Sequence, residues 1–393
     1  MVWERQADMR VAVNIRNANL GIPDGHGESM RALVREMAKI PGGHMVEYLC
    51  DAPLRFSGSE NLSQGARVLR PFPAGNRVLR GILEADPWYR LRVAIQGLLR
   101  RWDVYVQSAH EPPPAFGIGA RVVIVHDLAF IHPDAQENFD EALIAELDRW
   151  TAVNVHAATI VVAVSDVVAR DVARSYGVSP TKILTAHHGV DSKRFHPNYD
   201  SEDIAACRRR HHIESDYVIF VGTIQPRKNI PTLVEAVTRD HAQGVGRQLV
   251  IAGAAGWQSE SSIEAIEQAG PAVARCIGRV AEDDLPLLIA GATAFISVAR
   301  DEGFGMPALE AMASGVPVIA ADDAGLSEVV GEAGLLVNPE DPAAISSAIA
   351  RLSGDQQLRS DMIGRGIRRA EAFTWKAAAH NVWGAIERAC VSS

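Results

Sequence analysis

Short runs of aliphatic and β-branched residues alternate along the chain with stretches in which apolar residues recur every three or four positions. The first such unit pairs the run Arg10 to Ile15 with a helical pattern from Glu28 to Lys39. Uninterrupted apolar runs are typical of parallel strands covered on both faces, and the helix-patterned stretches between them provide the crossovers. We therefore predict an α/β fold built from parallel sheets.

This pattern occurs twice, in two series that the hydrophilic segment Asp200 to Asp216 separates. A chain of 393 residues is also too long for one ordinary core, so two domains are expected. We predict two Rossmann-like domains facing across a cleft, residues 1–205 and 206–372, with a helix in 373–393 that packs back on the first domain. The predicted strands are Arg10 to Ile15, Val122 to Val125 and Ile160 to Val164 in the first series, and Tyr217 to Val221, Leu249 to Ala252, Ala294 to Ser297 and Val316 to Ala320 in the second.

Composition and charge narrow the class of protein. Apolar residues make up 47% of the chain and charged residues 22%, the balance of a globular protein. The net charge of −9 disfavours nucleic acid as a partner. The four cysteines have no paired spacing, and no apolar run is long enough for a signal core or a membrane span. A cytoplasmic protein is therefore expected.

Two segments at predicted strand ends carry candidate chemistry. Glu302-Gly-Phe-Gly-Met-Pro-Ala-Leu-Glu310 joins a glycine loop to a helix start, where backbone amides and the helix dipole favour an anion such as a diphosphate. Gln225-Pro-Arg-Lys228 follows the strand that opens the second series and places two cations where open α/β sheets bind ligands. Each segment also has an ordinary structural interpretation. In that interpretation the two glutamates are solvated surface residues and the basic segment is a solvated turn.

Taken together, these motifs resemble those of the retaining glycosyltransferases of family 4, which have the GT-B fold. Within that family the chain is most similar to bacterial mannosyltransferases and related enzymes of surface polysaccharide synthesis. One departure is Gly222-Thr223, where many members have Gly-Arg. The motifs, in family order, are Ser165-Asp166 after a strand, His188-Gly-Val-Asp191, Gly-Thr-x-x-Pro-Arg-Lys-Asn229, Ile277-Gly-Arg-Val280 and the two glutamates eight positions apart.

The resemblance implies roles for individual residues. Arg227 and Lys228 would neutralise the donor diphosphate, Glu302 would hold the transferred sugar, and Glu310 would hold the ribose. His126, directly after the strand Val122 to Val125, would contact the donor sugar; the alternative is a core histidine that the backbone satisfies. The predicted catalytic residues are thus His126, Arg227, Lys228 and Glu302, and the remaining donor contacts are Gly222, Thr223, Ile277, Val280, Gly303, Phe304, Gly305, Met306 and Glu310.

The first series also contains a glycine-rich loop with Gly21, Gly25 and Gly27, which with Asp127 is predicted to line the acceptor side of the cleft. No metal is expected. The pairs His187-His188 and His211-His212 would point to opposite faces of a strand, and no carboxylate or cysteine spacing completes a site. Protein cations would replace a metal, so no cofactor is predicted.

The resulting prediction is a metal-independent retaining hexosyltransferase that moves mannose from GDP-mannose to a glycan or lipid-linked acceptor. Two alternatives remain. One is a sugar-nucleotide epimerase or hydrolase of the same fold, and the other is a carbohydrate-binding protein without activity. Release of free sugar without an acceptor would favour the hydrolase.

One local charge anomaly bears on the acceptor. Between Arg67 and Arg101 there are eight arginines and two acidic residues, a net charge of +6 in an acidic chain. Apolar residues from Leu91 to Leu99 accompany them, the mixture found in helices that lie on anionic membranes. Either the helix packs its apolar face inward and shows arginines to water, or the region contacts the inner face of the plasma membrane.

Overall fold

The computed structural model describes residues 9–19, 25–40, 44–51, 53–54, 56, 62, 65–68, 85–132, 139–242, 246–322 and 324–392. Contacts divide the chain into two compact units. The first consists of Met1–Leu128, Ala142–His188 and Trp375–Ser393, and the second of Ala129–Glu141 and Gly189–Thr374. The predicted domain limits at 205/206 and 372/373 remain predictions, since contacts define compact units rather than independently folding domains.

In the first unit, seven parallel strands are described, in the order β3-β2-β1-β4-β5-β6-β7. The order reverses between β1 and β4. The strands are β1 (Arg10–Asn14), β2 (Met45–Cys50), β3 (Ala66–Val68), β4 (Val104–Ser108), β5 (Ala120–Val125), β6 (Ile160–Ala163) and β7 (Ile183–Thr185). The helices are Gly25–Met37, Ala85–Arg100, Glu141–Ala157, Asp166–Tyr176 and Trp375–Val391. The first residue of the third, Glu141, is assigned to the second unit.

In the second unit, six parallel strands are described, in the order β10-β9-β8-β11-β12-β13, and the order reverses between β8 and β11. The strands are β8 (Tyr217–Val221), β9 (Gln248–Ala252), β10 (Ala274–Gly278), β11 (Ala294–Ser297), β12 (Val318–Ala321) and β13 (Leu335–Val337). The helices are Ser201–Arg210, Ile230–Ala242, Glu260–Ala269, Asp284–Ala290, Met306–Ala313, Ala324–Val330, Pro342–Gly354 and Gln356–Glu371.

This architecture confirms the prediction of two Rossmann-like parallel sheets. The strands Tyr217–Val221 and Ala294–Ser297 begin and end where the apolar runs do, because central parallel strands are buried on both faces. The predicted strand from Val316 begins instead at Val318. Pro317 has no N–H to donate to a neighbouring strand, although its carbonyl accepts from Phe295 N at 2.9 Å.

The helix Trp375–Val391 packs back onto the first unit, as predicted. It lies against the helix Gly25–Met37 and the strands β4 to β7. Trp383 donates from Nε1 to the carbonyl of Met37 at 3.2 Å, and Arg388 donates to the carbonyl of Thr181 at 2.8 Å. The last helical segment of the chain therefore completes the core of the unit that the first strands begin.

Ser165 caps the helix Asp166–Tyr176, as predicted: its hydroxyl accepts from the Val168 N–H at 3.1 Å. The hydrophilic segment after residue 200 also contains a helix, Ser201–Arg210, which the side chain of Asp200 caps. In the described residues, no helix combines the length and apolar character that crossing a bilayer requires.

Candidate active site

The two motifs of the second unit meet where its strand order reverses. Strand β8 leads into a 3₁₀ helix, Pro226–Lys228, and the adjacent strand β11 leads into the segment that contains Glu302. In open α/β sheets this edge, outside the carboxyl ends of the strands, is where ligands bind. The fold thus brings together residues that are 74 positions apart in the sequence.

An ion pair joins the two motifs directly. Lys228 Nζ donates a short hydrogen bond to Glu302 Oε2, and Arg227 Nη1 lies 3.9 Å from the same oxygen. Arg227 also donates to the main-chain oxygen of Asp301 at 3.0 Å. The exposed fractions of the Arg227, Lys228 and Glu302 side chains are 17%, 11% and 19%. Two cations therefore lie beside one carboxylate where little of any of the three side chains is exposed to water.

The backbone around Lys228 is fixed by Asn229. This buried residue adopts a left-handed conformation with φ of 55°. Its side-chain amide donates to the carbonyl of Pro339 at 2.7 Å, and its side-chain oxygen accepts from the Thr232 hydroxyl at 2.7 Å. Asn229 ends the 3₁₀ helix and starts the helix Ile230–Ala242, so the cations lie on a rigid turn.

The Glu302 segment is held by close packing. A Cβ atom added to Gly325 would lie 1.6 Å from the main-chain oxygen of Glu302, so only glycine allows this approach. Asp301, next to Glu302, pairs with His132 Nδ1 at 2.5 Å. Sequence reasoning did not identify Asp301, His132 or Gly325, although the first adjoins a predicted residue.

The remaining donor candidates follow along the same loop and helix. Gly305 has a φ of 91° and precedes the helix Met306–Ala313. The Phe304 side chain is buried with its ring edge-on to Phe373, so the ring packs in the core. Gly303 is buried, whereas Met306 and Glu310 are half-buried. Glu310 lies on the less buried side of a helix whose Ala308, Leu309, Ala311, Met312 and Ala313 are buried.

Other candidates lie at neighbouring strand ends. Gly222 and the exposed Thr223 follow β8 directly, and Ile277 and Val280 lie at the end of β10, both half-buried. Strand β10 is three strands from β11 in the sheet, which at the usual spacing is about 14 Å. An elongated ligand could span the edge from β10 to β11. The roles assigned to all these residues remain predictions.

In the first unit, His126 directly follows β5 and is 5% exposed. Its ring stacks on that of His26 at 4.9 Å between centroids and on that of His188 at 5.5 Å. His188 in turn lies 5.2 Å from the ring of Trp375. Among the described atoms, His126 Nδ1 has no hydrogen-bond partner, so the backbone does not satisfy this nitrogen.

His110 completes a cluster of four histidines. Its ring lies 5.9 Å from that of His26, and its Nε2 is 3.1 Å from the carbonyl of Asp127. His26 Nε2 pairs with the Asp127 carboxylate at 2.9 Å. Sequence reasoning did not connect His26, His110 and His188 with His126. A usable signal exists, since His110 and His188 both lie shortly after strands of one parallel sheet.

Burial keeps the centre of this cluster uncharged. It lowers the pKa of His126 well below the ordinary value of 6.5, and His26, His188 and His110 lower it further, while Asp127 acts in the opposite direction. Burial, followed by the charge of His26, lowers the pKa of His188 to about 3. Neutral imidazoles can give or accept a hydrogen bond, as contact with a sugar hydroxyl would require.

We expect acidification to destabilise the protein through these two histidines. Below pH 6.5 the unfolded chain takes up protons on both, whereas the folded chain does not. The contribution of these two histidines to the free energy of unfolding is therefore fully present above that pH. It is lost as the pH falls, by roughly 1.4 kcal/mol per histidine and pH unit. Urea denaturation at several pH values measures this slope. His188→Gln should flatten it, and replacing the exposed His380 should not; equal slopes in all three proteins would contradict the expectation.

The predicted acceptor loop is partly a helix. Gly25 and Gly27 lie in the first turn of Gly25–Met37, which begins three residues before the predicted start at Glu28, and Ser29 Oγ donates to the carbonyl of Gly25 at 2.8 Å. Two glycines in that turn hid the helix start from a pattern based on apolar spacing. Gly21 lies outside the described residues, and Asp127 is half-buried beside His26.

Two premises of the metal prediction were wrong: the position of the histidine pairs on strands, and the lack of a cysteine or carboxylate near them, since Cys207 and Asp284 lie beside His211. His187 and His188 lie beyond the end of β7, and His211 follows the helix Ser201–Arg210, so neither pair lies on a strand. Opposite faces of a strand therefore cannot separate the members of a pair. The prediction that catalysis needs no metal is independent of these premises and remains a prediction.

The two halves of the chain match two different family descriptions. Residues 23–194 match the family described as Glycosyltransferase Family 4, and residues 205–369 match Glycosyl transferases group 1. Together these matches cover most of both units.

Two similar proteins are transferases by name. The chain is 29% identical over 262 residues to O-antigen chain mannosyltransferase B of Escherichia coli, which covers 65% of this chain and 67% of that protein. It is 30% identical over 255 residues to D-inositol 3-phosphate glycosyltransferase of a Nocardioides species, covering 60% of this chain. The match spans only 55% of that second relative.

Solved structures agree on the fold. Sucrose-phosphate synthase of Thermosynechococcus elongatus superposes with a TM-score of 0.74 at 20% identity, covering 98% of this chain and all of that one. The Anabaena protein HepE in complex with UDP-glucose gives a TM-score of 0.72 at 16% identity over 96% of this chain and 99% of that one. Glycosyltransferase family models thus match both halves of the chain, which is a glycosyltransferase with the GT-B fold.

Proposed function

We propose that this chain transfers mannose from GDP-mannose to a glycan or lipid-linked acceptor with retention of the anomeric configuration. The observation that carries the proposal is the Lys228–Glu302 pair with Arg227 beside it, at the reversal point of the second sheet. The mannosyltransferase activity named for the Escherichia coli relative supports mannose as the sugar. The UDP-glucose complex of HepE supports a sugar nucleotide as the donor.

In the proposed reaction, the bond between the anomeric carbon and the diphosphate oxygen breaks. The acceptor hydroxyl forms the new bond on the same face of the sugar, and its proton passes to the departing phosphate oxygen. Lys228 and Arg227 would stabilise the charge that develops on that diphosphate, and Glu302 would orient the sugar hydroxyls. Because two protein cations supply the positive charge, we also propose that turnover needs no divalent metal and persists in EDTA.

A thermal-shift screen tests the donor. GDP-mannose, UDP-glucose, UDP-N-acetylglucosamine and dTDP-glucose are compared at equal concentration, since a ligand that binds only the folded state raises Tm. The largest shift is expected with GDP-mannose. A larger Tm shift with another donor would contradict the proposed sugar, the proposed nucleobase, or both.

The reaction itself is then followed with the selected donor and with glycan and lipid-linked acceptors. NMR of the product should show the donor's anomeric configuration. Free mannose released at the same rate without any acceptor would favour a hydrolase. A sugar whose configuration is changed but which is not transferred to an acceptor would favour an epimerase. Donor binding without either product would favour a carbohydrate-binding protein.

We propose further that a lipid-linked acceptor is met at an anionic membrane surface, through the helix Ala85–Arg100. This helix buries Tyr89, Val93 and Ala94, yet it also exposes apolar side chains. Ile95, Leu98 and Leu99 are 41%, 61% and 73% exposed, and Met45 nearby is 55% exposed. At 100° per residue, Ile95, Leu98 and Leu99 lie on the face opposite Val93. A helix that merely turns its apolar face inward would not show this arrangement.

Cations flank these exposed apolar residues. Arg92, Arg100 and Arg101 lie on or next to the helix, and a pocket of about 340 Å³ is lined by Met45, Leu99, Arg10 and Arg100, among others. Apolar side chains beside arginines suit the boundary between acyl chains and anionic headgroups. Arg90 and Arg100 make contacts within the unit: Arg90 donates to the carbonyl of Pro113 at 2.6 Å, and Arg100 donates to Glu47 Oε1 at 3.0 Å. The arginines from 70 to 80 lie outside the described residues.

Co-sedimentation with vesicles tests this surface. Binding to phosphatidylglycerol-rich vesicles is expected, with little binding to phosphatidylcholine and release by raised salt. Leu98→Ser/Leu99→Ser should reduce binding about tenfold or more, because two leucine side chains that the bilayer would bury are lost. Arg92→Gln/Arg101→Gln should weaken only the anionic component. Leu143→Ser/Val153→Ser, which changes two other exposed apolar residues of the same unit, is the matched control. Absent sedimentation, or equal loss in the control, would contradict the membrane proposal.

A further inference from the structure

Two helices of the second unit bring together three side chains that bind metals in proteins. Cys207 lies in the last turn of Ser201–Arg210, and His211, four positions later, directly follows that helix, so both lie near the same side of its end. Asp284 is the first residue of the helix Asp284–Ala290. The sulfur, an imidazole nitrogen and a carboxylate oxygen of these residues lie within 4.8 Å of one another. None of the three belongs to the candidate active site.

The contacts within the cluster are close to those of a coordination shell. His211 Nε2 lies 2.9 Å from Asp284 Oδ2, and the Cys207 thiol lies 3.8 Å from the main-chain oxygen of Asp284. In a tetrahedral zinc site, bonds of 2.0–2.3 Å place ligand atoms roughly 3.3–3.7 Å apart. The three ligand atoms, all within 4.8 Å of one another, are therefore within about an ångström of that spacing.

The surroundings suit one divalent ion. Cys207 is fully buried, whereas His211 and Asp284 are 17% and 16% exposed at their side chains, which leaves one side open to water as a fourth ligand. Arg210 donates to the other carboxylate oxygen, Asp284 Oδ1, at 2.5 Å. Outer hydrogen bonds of this kind orient a ligating carboxylate. The arginine can therefore hold Asp284 in place while Oδ2 turns to a metal.

We propose that Cys207, His211 and Asp284 bind one zinc ion that links the helices Ser201–Arg210 and Asp284–Ala290. A thiolate, an imidazole and a carboxylate favour zinc over magnesium or calcium, which prefer sets made of oxygen alone. Binding exchanges the thiol proton for the metal: the S–H bond breaks, an S–Zn bond forms, and the proton leaves to solvent. Affinity therefore rises with pH.

The proton balance has a physical basis in the cluster. Burial, followed by the charge of Asp284, raises the pKa of the Cys207 thiol to about 11. The hydrogen bond from Arg210, and next that with His211, lowers the pKa of Asp284. At neutral pH the cluster is thus a carboxylate beside a protonated thiol, and a dication has to displace one proton.

Cobalt is the probe for the full chain after treatment with EDTA and dialysis. Tetrahedral Co²⁺ bound to a thiolate absorbs in the near ultraviolet by sulfur-to-metal charge transfer, in addition to its visible bands. We expect one equivalent of Co²⁺ to give both, and one equivalent of Zn²⁺ to abolish them. Zn²⁺ should also raise Tm. Cys207→Ser should remove the charge-transfer band, and His211→Gln should lower Co²⁺ affinity by at least the roughly tenfold that loss of a supporting group costs.

Matched controls are the exposed Cys276→Ser and the adjacent His212→Gln, which should leave the spectrum unchanged. If Cys207→Ser fails to fold, wild type and Cys50→Ala/Cys276→Ser/Cys390→Ser still decide the matter, because the band must survive when Cys207 is the one thiol left. No charge-transfer band in the wild type, or a band that depends on Cys276, would overturn the proposal and leave an ordinary ion pair. Donor turnover in the metal-free protein reports separately on the proposed function.

Discussion

Replacing Lys228 with alanine is expected to lower kcat by about 10²- to 10³-fold, the usual cost of removing a group that stabilises charge in a transition state. GDP binding should weaken as well, whereas guanosine binding should not, because Lys228 would face the diphosphate. Steady-state kinetics and calorimetric titration measure the two effects. Lys193→Ala, an exposed lysine of the same unit, is the control. Unchanged kinetics in Lys228→Ala would remove this residue from the site.

The structure requires a second variant for this test. Without Lys228, the Glu302 carboxylate loses the short ion pair, although Arg227 Nη1 still lies 3.9 Å from it, and the charge on this half-buried group is less well compensated. The double variant Lys228→Ala/Glu302→Gln removes that charge. If Lys228 acts on the diphosphate, the double variant stays inactive; recovery of turnover would mean that the lysine merely neutralises Glu302. The single variant Glu302→Gln should impair sugar positioning about tenfold or more.

Gly325→Ala is expected to have the second largest effect, although residue 325 carries no functional group. The new methyl group would overlap the main-chain oxygen of Glu302, so the Glu302 segment or the start of the helix Ala324–Val330 has to move. Overpacking of this kind costs about 1–3 kcal/mol of folding free energy, and a shift of about 1 Å at a reacting group costs about 10²-fold in rate.

Gly384→Ala is the matched control for that substitution. Gly384 lies inside the helix Trp375–Val391, and a Cβ atom there meets nothing within 4 Å. This change should raise stability by up to about 1 kcal/mol, since alanine is the better helix former. Opposite signs of the two Tm shifts, with kcat/KM lowered only in Gly325→Ala, are the expected result. Parental kcat/KM in Gly325→Ala would show that the close packing does not position Glu302.

Much of the fold could be predicted from the sequence because it depends on local patterns. Tyr217–Val221 and Ala294–Ser297 are uninterrupted apolar runs, and each is followed by the loop that carries its motif, so strand and motif are read together. The start of Gly25–Met37 could not be predicted in this way. Glycine and histidine carry no apolar periodicity, and the bond from Ser29 to Gly25 becomes visible only in the structure.

The candidate site could be predicted residue by residue but not as an arrangement. Lys228 and Glu302 were assigned to different parts of the donor, and their direct pairing depends on the order of strands in the sheet. The stacking of His26 on His126 likewise joins residues about a hundred positions apart. Contacts of this range follow from tertiary packing, which no spacing rule contains.

The return of Trp375–Val391 to the first unit has a consequence for synthesis on the ribosome. Its anchoring contacts, such as that from Trp383 to Met37, join residues 346 positions apart. While residues 189–374 are being made, the nascent first unit lacks the helix that covers β4 to β7, so its apolar sheet face is open to chaperones or to aggregation. All segments of the second unit have been synthesised before that helix emerges from the ribosome. Translation therefore allows the second unit to fold first, and slow synthesis of that helix would prolong the vulnerable state.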